Sequence, residues 1–374
     1  MEHDPALRRG AYERWMVSEG IPIVRGHGVS DIMAVELGPW ARLGGQGAYI
    51  DLQGMEGVTG MYVAEIPPGG ALEPEKHLFD ETIYILSGRG SGRIWNGRRD
   101  EEAQAITFEW HAGSMFSPPM NTWHQLFNLS GTEPVRLLAA TLAPPVMDIY
   151  HNPDFVFGCP YDFRDRFDTQ PDFFDVRERF FFEPDRKWLW ETNLIPDVRG
   201  LELISDERKA AGGRGTHYQM SGNALAGHMY EFPGGCYHKA HAHGGGAIIL
   251  HVSECRGYTL LWPREAGIQP YASGHGDQVE RIDWQDGSVY SPPGGWFHQH
   301  FNTGPTVARQ LALRLGSHRH RVTFQDVQSG KGQQVSVHEG GTLIEYEDED
   351  PEIRRSFQTK LAEVGIDYRM PTTG

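Results

Sequence analysis

Three histidines in the second half of the chain stand at spacings that suit a transition-metal site. His241 and His243 are separated by one residue and close the stretch Gly-Cys-Tyr-His-Lys-Ala-His-Ala-His that begins at Gly235. Residues two apart on a β-strand point to the same face, so both imidazoles are expected on one side of a strand. His298 follows a Pro-Pro-Gly-Gly turn, on a second predicted strand. Three imidazoles from two strands of a small barrel predict a metal site.

A second set of candidate ligands lies in the first half of the chain. His77, Glu81 and His124 make a pair of histidines with one carboxylate, and Glu75 offers a second carboxylate. Two histidines with one carboxylate are typical of iron or manganese sites. Two interpretations stay open for this set: a second metal site, or a barrel that has lost its metal and is kept for structure.

The elements that must position these residues occur twice. Met-Tyr-Val-Ala-Glu-Ile-Pro-Pro-Gly-Gly from Met61 is echoed by Met-Tyr-Glu-Phe-Pro-Gly-Gly from Met229. Further matched pairs are His77 with His243, Trp95 with Trp262, His124 with His298, and Asn128 with Asn302. Short apolar runs between these positions are typical of buried strands. The repeat predicts an all-β chain containing two copies of one barrel.

The repeat divides the chain into five parts. Residues 1–45 form an N-terminal arm with a helix expected from Pro5 to Ser18, and residues 146–200 form an aromatic-rich segment expected to fasten the two barrels together. The barrels themselves are assigned to residues 46–145 and 201–320. Residues 321–374 form a C-terminal tail, in which Asp350 as N-cap, Pro351 in the first turn and Gly365 predict a helix from Pro351 to Val364.

Composition excludes several classes of function. Among 374 residues, 39% are hydrophobic and 22% are charged, and the 46 glycines and 24 prolines favour short strands with tight turns. The formal net charge of −16 argues against nucleic-acid and anionic-membrane surfaces. Three widely spaced cysteines do not suggest a disulfide scaffold, and no apolar run suits a signal peptide or membrane span. We expect a cytoplasmic protein, either a monomer or a homodimer.

The second copy resembles the cupin superfamily. Its second motif, G-x5-P-x-G-x2-H-x3-N, is met at every fixed position by Gly287, Pro293, Gly295, His298 and Asn302. The first motif, G-x5-H-x-H-x3,4-E-x6-G, is met in its first half by Gly235, His241 and His243. Ala247 stands where the family's glutamate ligand falls.

The first copy departs from the motifs at other positions. It keeps His77, Glu81 and His124, but Glu75 replaces the first histidine and Asn121 replaces a glycine. The resemblance therefore implies a bicupin, with two double-stranded β-helix (jelly-roll) barrels in one chain and short flanking helices.

Among cupins, the second site is similar to those of gentisate 1,2-dioxygenases. That resemblance implies non-haem Fe(II), dioxygen, and a small aromatic or enolic hydroxy acid whose hydroxyl and carboxylate supply the missing anionic ligands. One feature departs from that subfamily. The working site of gentisate dioxygenases is generally in the N-terminal barrel, whereas here the fuller histidine set is in the C-terminal barrel. Two alternatives remain: a redox-neutral Mn(II) decarboxylase or isomerase, and a non-enzymatic small-molecule-binding or storage protein.

Four further residues are candidates near the second site. His300 shares a strand face with His298 and is a candidate acid or base. Arg309 and Arg314 lie on opposite faces of the last predicted strand, so one of them is expected to point inward and hold a substrate carboxylate. His238, three residues before His241, is a candidate neighbour of the metal.

Overall fold

A computed structural model describes residues 10–183, 187–319 and 332–371. The helices are Ala11–Ser18 (α1), Ala143–Tyr150 (α2), Pro153–Gly158 (α3) and Pro351–Val364 (α4). The strands before residue 150 are Ile23–Gly26 (β1), Gly28–Val29 (β2), Gly38–Trp40 (β3), Gly45–Leu52 (β4), Gly60–Ile66 (β5), Glu81–Ser87 (β6), Arg89–Trp95 (β7), Ile106–His111 (β8), Met115–Phe116 (β9), Trp123–Asn128 (β10) and Val135–Thr141 (β11). The later strands are Phe180–Phe182 (β12), Lys187–Glu191 (β13), Leu194–Ile195 (β14), Ile204–Ser205 (β15), Arg214–Gln219 (β16), Leu225–Phe232 (β17), Ile248–His251 (β18), Arg256–Trp262 (β19), Glu280–Gln285 (β20), Val289–Tyr290 (β21), Phe297–Asn302 (β22) and Ala308–Leu315 (β23).

The predicted repeat is confirmed by the strand order. In the first barrel the large sheet contains the order β4-β5-β11-β6-β9, and the small sheet has the order β10-β7-β8. In the second barrel the large sheet contains β16-β17-β23-β18-β21, and the small sheet has the order β20-β19-β22. The two orders match strand for strand, so the all-β prediction with two jelly-roll barrels and short flanking helices holds.

The flanking segments contribute strands to the sheets of both barrels. β2 of the N-terminal arm pairs with β21 of the second barrel, whereas its neighbours β1 and β3 pair with β4 of the first. In the connecting segment, β13 pairs with β16 of the second barrel and β14 pairs with β9 of the first. The arm and the connecting segment therefore each contact both barrels.

Side chains of the last strand of each barrel point alternately to two environments: the core between the two barrels and the interior of their own barrel. In β11, Leu138 and Ala140 belong to an apolar core that also contains Leu311 and Leu313 of β23. This core lies between the large sheets of the two barrels. The alternate residues of β11, including Leu137, pack with the side chains inside the first barrel. The same alternation in β23 decides which arginine can reach the second site.

The flanking helices agree with the sequence where the structure describes them. α4 spans the predicted residues; the Asp350 side chain accepts a hydrogen bond from the Glu352 amide at 2.9 Å, and Gly365 has a φ of +70°. Ile353, Phe357 and Leu361 are buried, but Val364 is 44% exposed, because it lies in the last turn. The first residues of the predicted N-terminal helix lie outside the described part of the chain, and α1 begins at Ala11. No helix among the described residues is long and apolar enough to span a membrane.

Candidate metal centres

Backbone pairing brings His241 against His298. The His241 amide donates to the His298 carbonyl at 3.1 Å, and the His298 amide donates to the His241 carbonyl at 2.9 Å, as in a directly opposed antiparallel pair. The Gly295 amide donates to the His243 carbonyl at 2.7 Å. Gly295 has a φ of +76°, a conformation that glycine adopts without steric cost, and the turn it closes leads into β22.

The three histidines form one compact cluster. One ligand atom from each of His241, His243 and His298 lies within 4.8 Å of the others. Each ring uses Nδ1 to donate to a backbone carbonyl: that of Lys239 at 3.1 Å, Gly244 at 2.7 Å and Trp296 at 3.3 Å respectively. Those bonds fix the ring orientations and leave each Nε2 as the atom with a lone pair for a metal.

Burial keeps the three rings neutral. It lowers the pKa of His243 to about 4 and holds the pKa values of His241 and His298 well below the ordinary imidazole value. His298 Nε2 is buried without a hydrogen-bond partner among the described residues. A buried polar atom without a partner is costly, and a metal ion at this position would satisfy it. The cluster thus fits a divalent metal.

Two cations line the same cavity. Lys209 Nζ lies 3.3 Å from His241 Nε2 and 3.0 Å from Gln333 Oε1, and Arg314 forms part of the cavity wall. Burial is the main cause, and Arg314 the next, of a Lys209 pKa lowered to about 7. Within the described chain, the lining of this cavity contains neither aspartate nor glutamate. The cavity therefore favours an anionic ligand.

Sequence reasoning missed Lys209, which precedes the first long strand of the second barrel. A signal was present in the repeat. In the first barrel, Arg42 also precedes the first long strand, and it forms an ion pair with Glu75 at the position that corresponds to His241. Each barrel thus directs a cation at the first position of its metal motif.

The two candidate arginines, Arg309 and Arg314, lie on opposite faces of β23. Arg314 lies on the face of β23 that also carries Gln310 and Ala312, and all three line the cavity. Arg309 lies on the other face, where it donates to Glu231 at 2.6 Å and to the Val198 carbonyl at 2.9 Å.

Arg309 is a repeated structural residue. Arg136 of the first barrel makes the equivalent ion pair with Glu65 at 2.8 Å and donates to a backbone carbonyl of the arm. The expectation that one of Arg309 and Arg314 points inward is met by Arg314, and the structure does not bring Arg309 to the cluster.

His300 lies inside the second barrel beside the cluster. Its Nδ1 is 2.9 Å from both the Thr259 and the Tyr290 hydroxyls, and its ring centroid is 5.5 Å from that of His298. Burial lowers its pKa well below the ordinary value. His238 also lines the cavity, and neither of its ring nitrogens has a hydrogen-bond partner among the described residues.

The interiors of the two barrels differ at matched positions. Where the second barrel has His300, Tyr290 and Gln310, the first has Leu126, Phe116 and Leu137. Those three first-barrel residues belong to its apolar core. The second barrel therefore has a polar interior beside its metal cluster, and the first does not.

The first barrel gathers the other predicted ligands. Glu81 Oε2 lies 3.5 Å from His77 Nε2 and 3.4 Å from His124 Nε2, and Glu75 Oε1 is 3.9 Å from the same nitrogen of His124. Both Nδ1 atoms are occupied by backbone carbonyls, those of Phe79 at 2.8 Å and Thr122 at 3.1 Å. Burial alone would raise the pKa of Glu81, but His124 and His77 hold it below its ordinary value. This donor set also fits a metal, because His77 Nε2 and Glu81 Oε2 are buried without hydrogen-bond partners among the described residues.

The first site is closed by protein. Glu75 is held by Arg42, whose guanidinium lies 5.3 Å from the Trp15 ring and 5.1 Å from the Phe157 ring. The cavities that border the cluster are about 10 Å³ each, close to the volume that one water molecule needs. Asn121 replaces the motif glycine with a φ of +54°, and its side chain donates to the Cys159 and Tyr161 carbonyls.

A turn of the first barrel supports the loops of the second site. The Gly294 amide donates to Glu56 Oε1 at 2.6 Å, and the Gly246 amide donates to the Gly54 carbonyl at 2.7 Å. Thr59 Oγ1 donates to the Gly246 carbonyl at 3.0 Å. The segment 54–59 thus contacts the loop after His243 and the turn before His298.

The comparisons with known proteins agree with this architecture. Residues 62–141 match the family model described as a cupin domain. That range covers most of the first barrel, and the second barrel repeats its topology. The structure therefore has two barrels of the cupin fold, and the family match covers residues 62–141, in the first of them.

Solved structures similar to this chain include oxalate decarboxylases. One is a formate complex from Lactobacillus farciminis, at 12% identity and a TM-score of 0.47, covering 76% of this chain and 85% of the other. Another is the Bacillus subtilis enzyme with Mn(II) centres, at 13% identity and a TM-score of 0.47, covering 77% of each chain. Similarity at this level carries no argument about the reaction. The search of curated proteins found no match to this sequence.

Proposed function

We propose that the second barrel is the active site of a metal-dependent oxygenase that acts on a small hydroxylated carboxylic acid. One observation carries the proposal: His241, His243 and His298 form a cluster of neutral ligands in a cavity that Lys209 and Arg314 also line. Neutral imidazoles leave the charge of a divalent ion uncompensated. A substrate with a carboxylate and a neighbouring hydroxyl would supply that charge and fill two coordination positions.

Each nearby side chain has a distinct task in this proposal. Iron(II), when bound, would supply Lewis acidity and the capacity to activate dioxygen. Arg314 and Lys209 would hold the substrate carboxylate, Arg314 through two parallel hydrogen bonds. His300, oriented by Thr259 and Tyr290, is placed to accept or return a proton of the substrate hydroxyl. The likeness to gentisate dioxygenases stays a prediction.

A redox-neutral reaction with Mn(II) has a separate observation in its favour. The first barrel offers two histidines and two carboxylates, and carboxylate ligands suit manganese. The small cavities around that cluster argue that an ion there serves structure, so a decarboxylase or isomerase would still need the second barrel for its substrate.

Metal analysis and oxygen uptake test the proposal together. We would measure metals by elemental analysis in the wild type and in the His243→Ala and His77→Ala variants, then screen hydroxy acids for oxygen consumption. We expect iron that is lost with His243→Ala and an oxygen uptake that survives His77→Ala. Manganese with turnover but no oxygen uptake would favour the redox-neutral reaction. Absence of metal from the wild type would leave only a binding or storage protein.

A further inference from the structure

A second, smaller space lies beside the metal cavity of the second barrel, and Lys209 and Arg314 line both. Its volume is about 20 Å³, somewhat more than one water molecule needs, so it suits a monatomic ion or a single small polar group. We call this space the basic pocket. The residues that decide its charge and its hydrogen bonding are Asp206, Arg208, Lys209, His217, His228 and Arg314.

Three of these side chains come from neighbouring strands of the large sheet. His217 of β16 is directly opposed to His228 of β17, and Ala226 of β17 is directly opposed to Arg314 of β23. Residues two apart on a strand share a face, as do directly opposed residues, so these side chains point to the same side of the sheet. The sheet thus brings two imidazoles and a guanidinium to one place.

The matching positions of the first barrel carry no charge. The equivalent ion pairs of β11 and β23 with their neighbouring strands align the two barrels. The matched pairs are then Tyr49 with His217, Tyr62 with His228 and Thr141 with Arg314. In the first barrel, Tyr12 and Trp15 of the arm line the remaining space of about 10 Å³. The fold does not require the bases of the second barrel, since the first barrel forms without them.

The bases of the basic pocket outnumber its acids. Among the described residues that line it, Asp206 is the only acid. Asp206 is already bound by both sides of the Arg208 guanidinium, at 2.6 and 2.5 Å. Lys209 and Arg314 then leave the lining with an excess of positive charge. The pocket therefore attracts an anion.

The two imidazoles offer hydrogen-bond donors to such an anion. Burial, and after it the charge of nearby cations, keeps the pKa values of His217 and His228 well below the ordinary imidazole value, so each ring is neutral with one N–H. His228 Nδ1 is buried without a hydrogen-bond partner among the described residues, and a bound anion would satisfy it. The Arg208 side chain is 38% exposed, so one edge of the pocket lies at the protein surface.

We infer that the basic pocket binds a second anionic group, next to the acid that the metal cavity takes. The group is either a free ion such as chloride or a second carboxylate of the same acid, and in the latter form the inference rests on the proposed function and makes the substrate a hydroxy diacid. A divalent metal on three neutral imidazoles, with Lys209 and Arg314 beside it, has more positive charge than one carboxylate compensates. A second anion would reduce that excess.

Bromide tests for the free ion. We would soak crystals of the Fe(II)-loaded protein in bromide without dioxygen and locate the ion by anomalous X-ray scattering, which distinguishes bromide in the pocket from bromide on the iron. Arg208→Gln should raise the concentration for half occupancy of the pocket about tenfold. Asp206→Asn should lower it severalfold, because it removes the acid of the lining and releases the Arg208 guanidinium. Arg214→Gln removes a charge from β16 outside the lining and should change nothing.

Hydroxy diacids test for the second carboxylate. We would titrate glycolate, malate and 2-hydroxyglutarate into the same protein by calorimetry, in halide-free buffer without dioxygen, so that binding is measured and turnover is not. The three acids share a hydroxy acid end and differ in the presence and distance of a second carboxylate. At least one diacid should bind about tenfold more tightly than glycolate. Arg208→Gln should remove that advantage with little change in glycolate binding, and Asp206→Asn should increase it.

The outcomes distinguish the source of the anion and the two proposals. Bromide in the pocket without an advantage for either diacid would assign the group to a free ion, and a diacid advantage that Arg208→Gln removes would assign it to the substrate. Absence of bromide from the pocket together with equal binding of all three acids would overturn the inference. Equal effects of Arg208→Gln and Arg214→Gln would also overturn it, because the response would then follow net charge alone.

Two further results are decisive. If Arg208→Gln does not fold, as judged by circular dichroism, Asp206→Asn decides, and its failure to strengthen binding of either bromide or a diacid would overturn the inference. A wild type that binds neither metal nor any hydroxy acid would overturn the proposed function and the diacid with it. Bromide in the pocket of that metal-free protein would still support the anion site.

Discussion

At the scale of single residues, Arg314 and Arg309 offer a matched pair for experiment. They lie on one strand but on opposite faces, with Arg314 in the cavity and Arg309 in an ion pair with Glu231. Arg314→Met should weaken binding of 2-hydroxybenzoate by at least about tenfold, because a charge-assisted bidentate contact is lost. Calorimetry on the Fe(II)-loaded protein measures the change.

Arg309→Met is the control, which should lower the stability of the protein and leave acid binding nearly unchanged. Its side chain is 13% exposed and that of Glu231 is 11% exposed, so removing Arg309 leaves a nearly buried carboxylate with only the more distant Arg214 guanidinium, at 4.0 Å. We expect a loss of about 3 kcal/mol in the free energy of unfolding with little change in acid binding. Weaker acid binding by Arg309→Met at unchanged stability would contradict the assignment.

His251 provides a pH-dependent prediction away from the metal ligands. It is fully buried, its ring stacks on Trp284 at 4.1 Å, and burial lowers its pKa to about 3. The groups that face it are Cys255, Tyr290, His300 and Trp284. Its pKa is lower in the folded than in the unfolded state. The unfolded chain therefore binds more protons below pH 6.5, and stability falls as the pH falls.

The His251→Phe variant should lose less stability on acidification than the wild type. Between pH 7.5 and pH 5, the difference between the two proteins should be about 2 kcal/mol, because one unit of pKa shift corresponds to about 1.4 kcal/mol. Urea unfolding at both pH values, with a chelator present, measures it. Parallel losses in the two proteins would show that His251 is protonated in the folded state.

At the scale of elements, the turn 54–59 of the first barrel acts on the site of the second. Glu56→Ala removes the acceptor for the Gly294 amide in the turn that leads to His298. We expect about tenfold weaker metal binding at the second site, because groups that orient metal ligands usually contribute that much. Competition with a chelating dye, on a His77→Ala background, reports the second site alone. Asp283→Ala, in an exposed ion pair with Arg281, is a control that should not change the affinity.

The elements also show how far the sequence could be interpreted. Motif spacing was sufficient to predict that the three histidines lie together, because backbone pairing of the two motif segments places His241 opposite His298. Side-chain alternation predicted that Arg309 and Arg314 face opposite ways, but not which one faces inward, since that depends on which sheet covers the strand. Lys209 was not predicted, because it reaches the histidine cluster from a loop, where the sequence shows no periodic pattern of apolar residues. The aromatic residues of the connecting segment were identified in the sequence, but the cavity of about 670 Å³ that Phe181 and Trp188 line is formed by tertiary packing and could not be predicted.

At the scale of the whole molecule, the shared core predicts cooperative unfolding. Leu138 and Leu311 belong to one apolar cluster, and both the arm and the connecting segment pair with strands of both barrels. We expect a single urea transition in which tryptophan fluorescence and far-ultraviolet circular dichroism coincide. Val29→Pro, which removes the amide of a bridging strand, should lower the midpoint of the whole transition. Two separated transitions would mean that the barrels are stable independently. A monomeric or homodimeric state and a cytoplasmic location stay predictions.

The pairing of β2 in the N-terminal arm with β21 of the second barrel can form only late in synthesis. Gly28 pairs with Tyr290, so β2 emerges from the ribosome 262 residues before its partner strand. At ordinary translation rates this interval is on the order of 10–50 s. Throughout it, β2 lacks β21, the strand with which it pairs in the described structure, although β1 beside it can already dock on β4. The arm is thus made before both barrels but completes its strand pairing only after the second, and the nascent first barrel must avoid aggregation with its apolar inter-barrel face uncovered until the second barrel arrives.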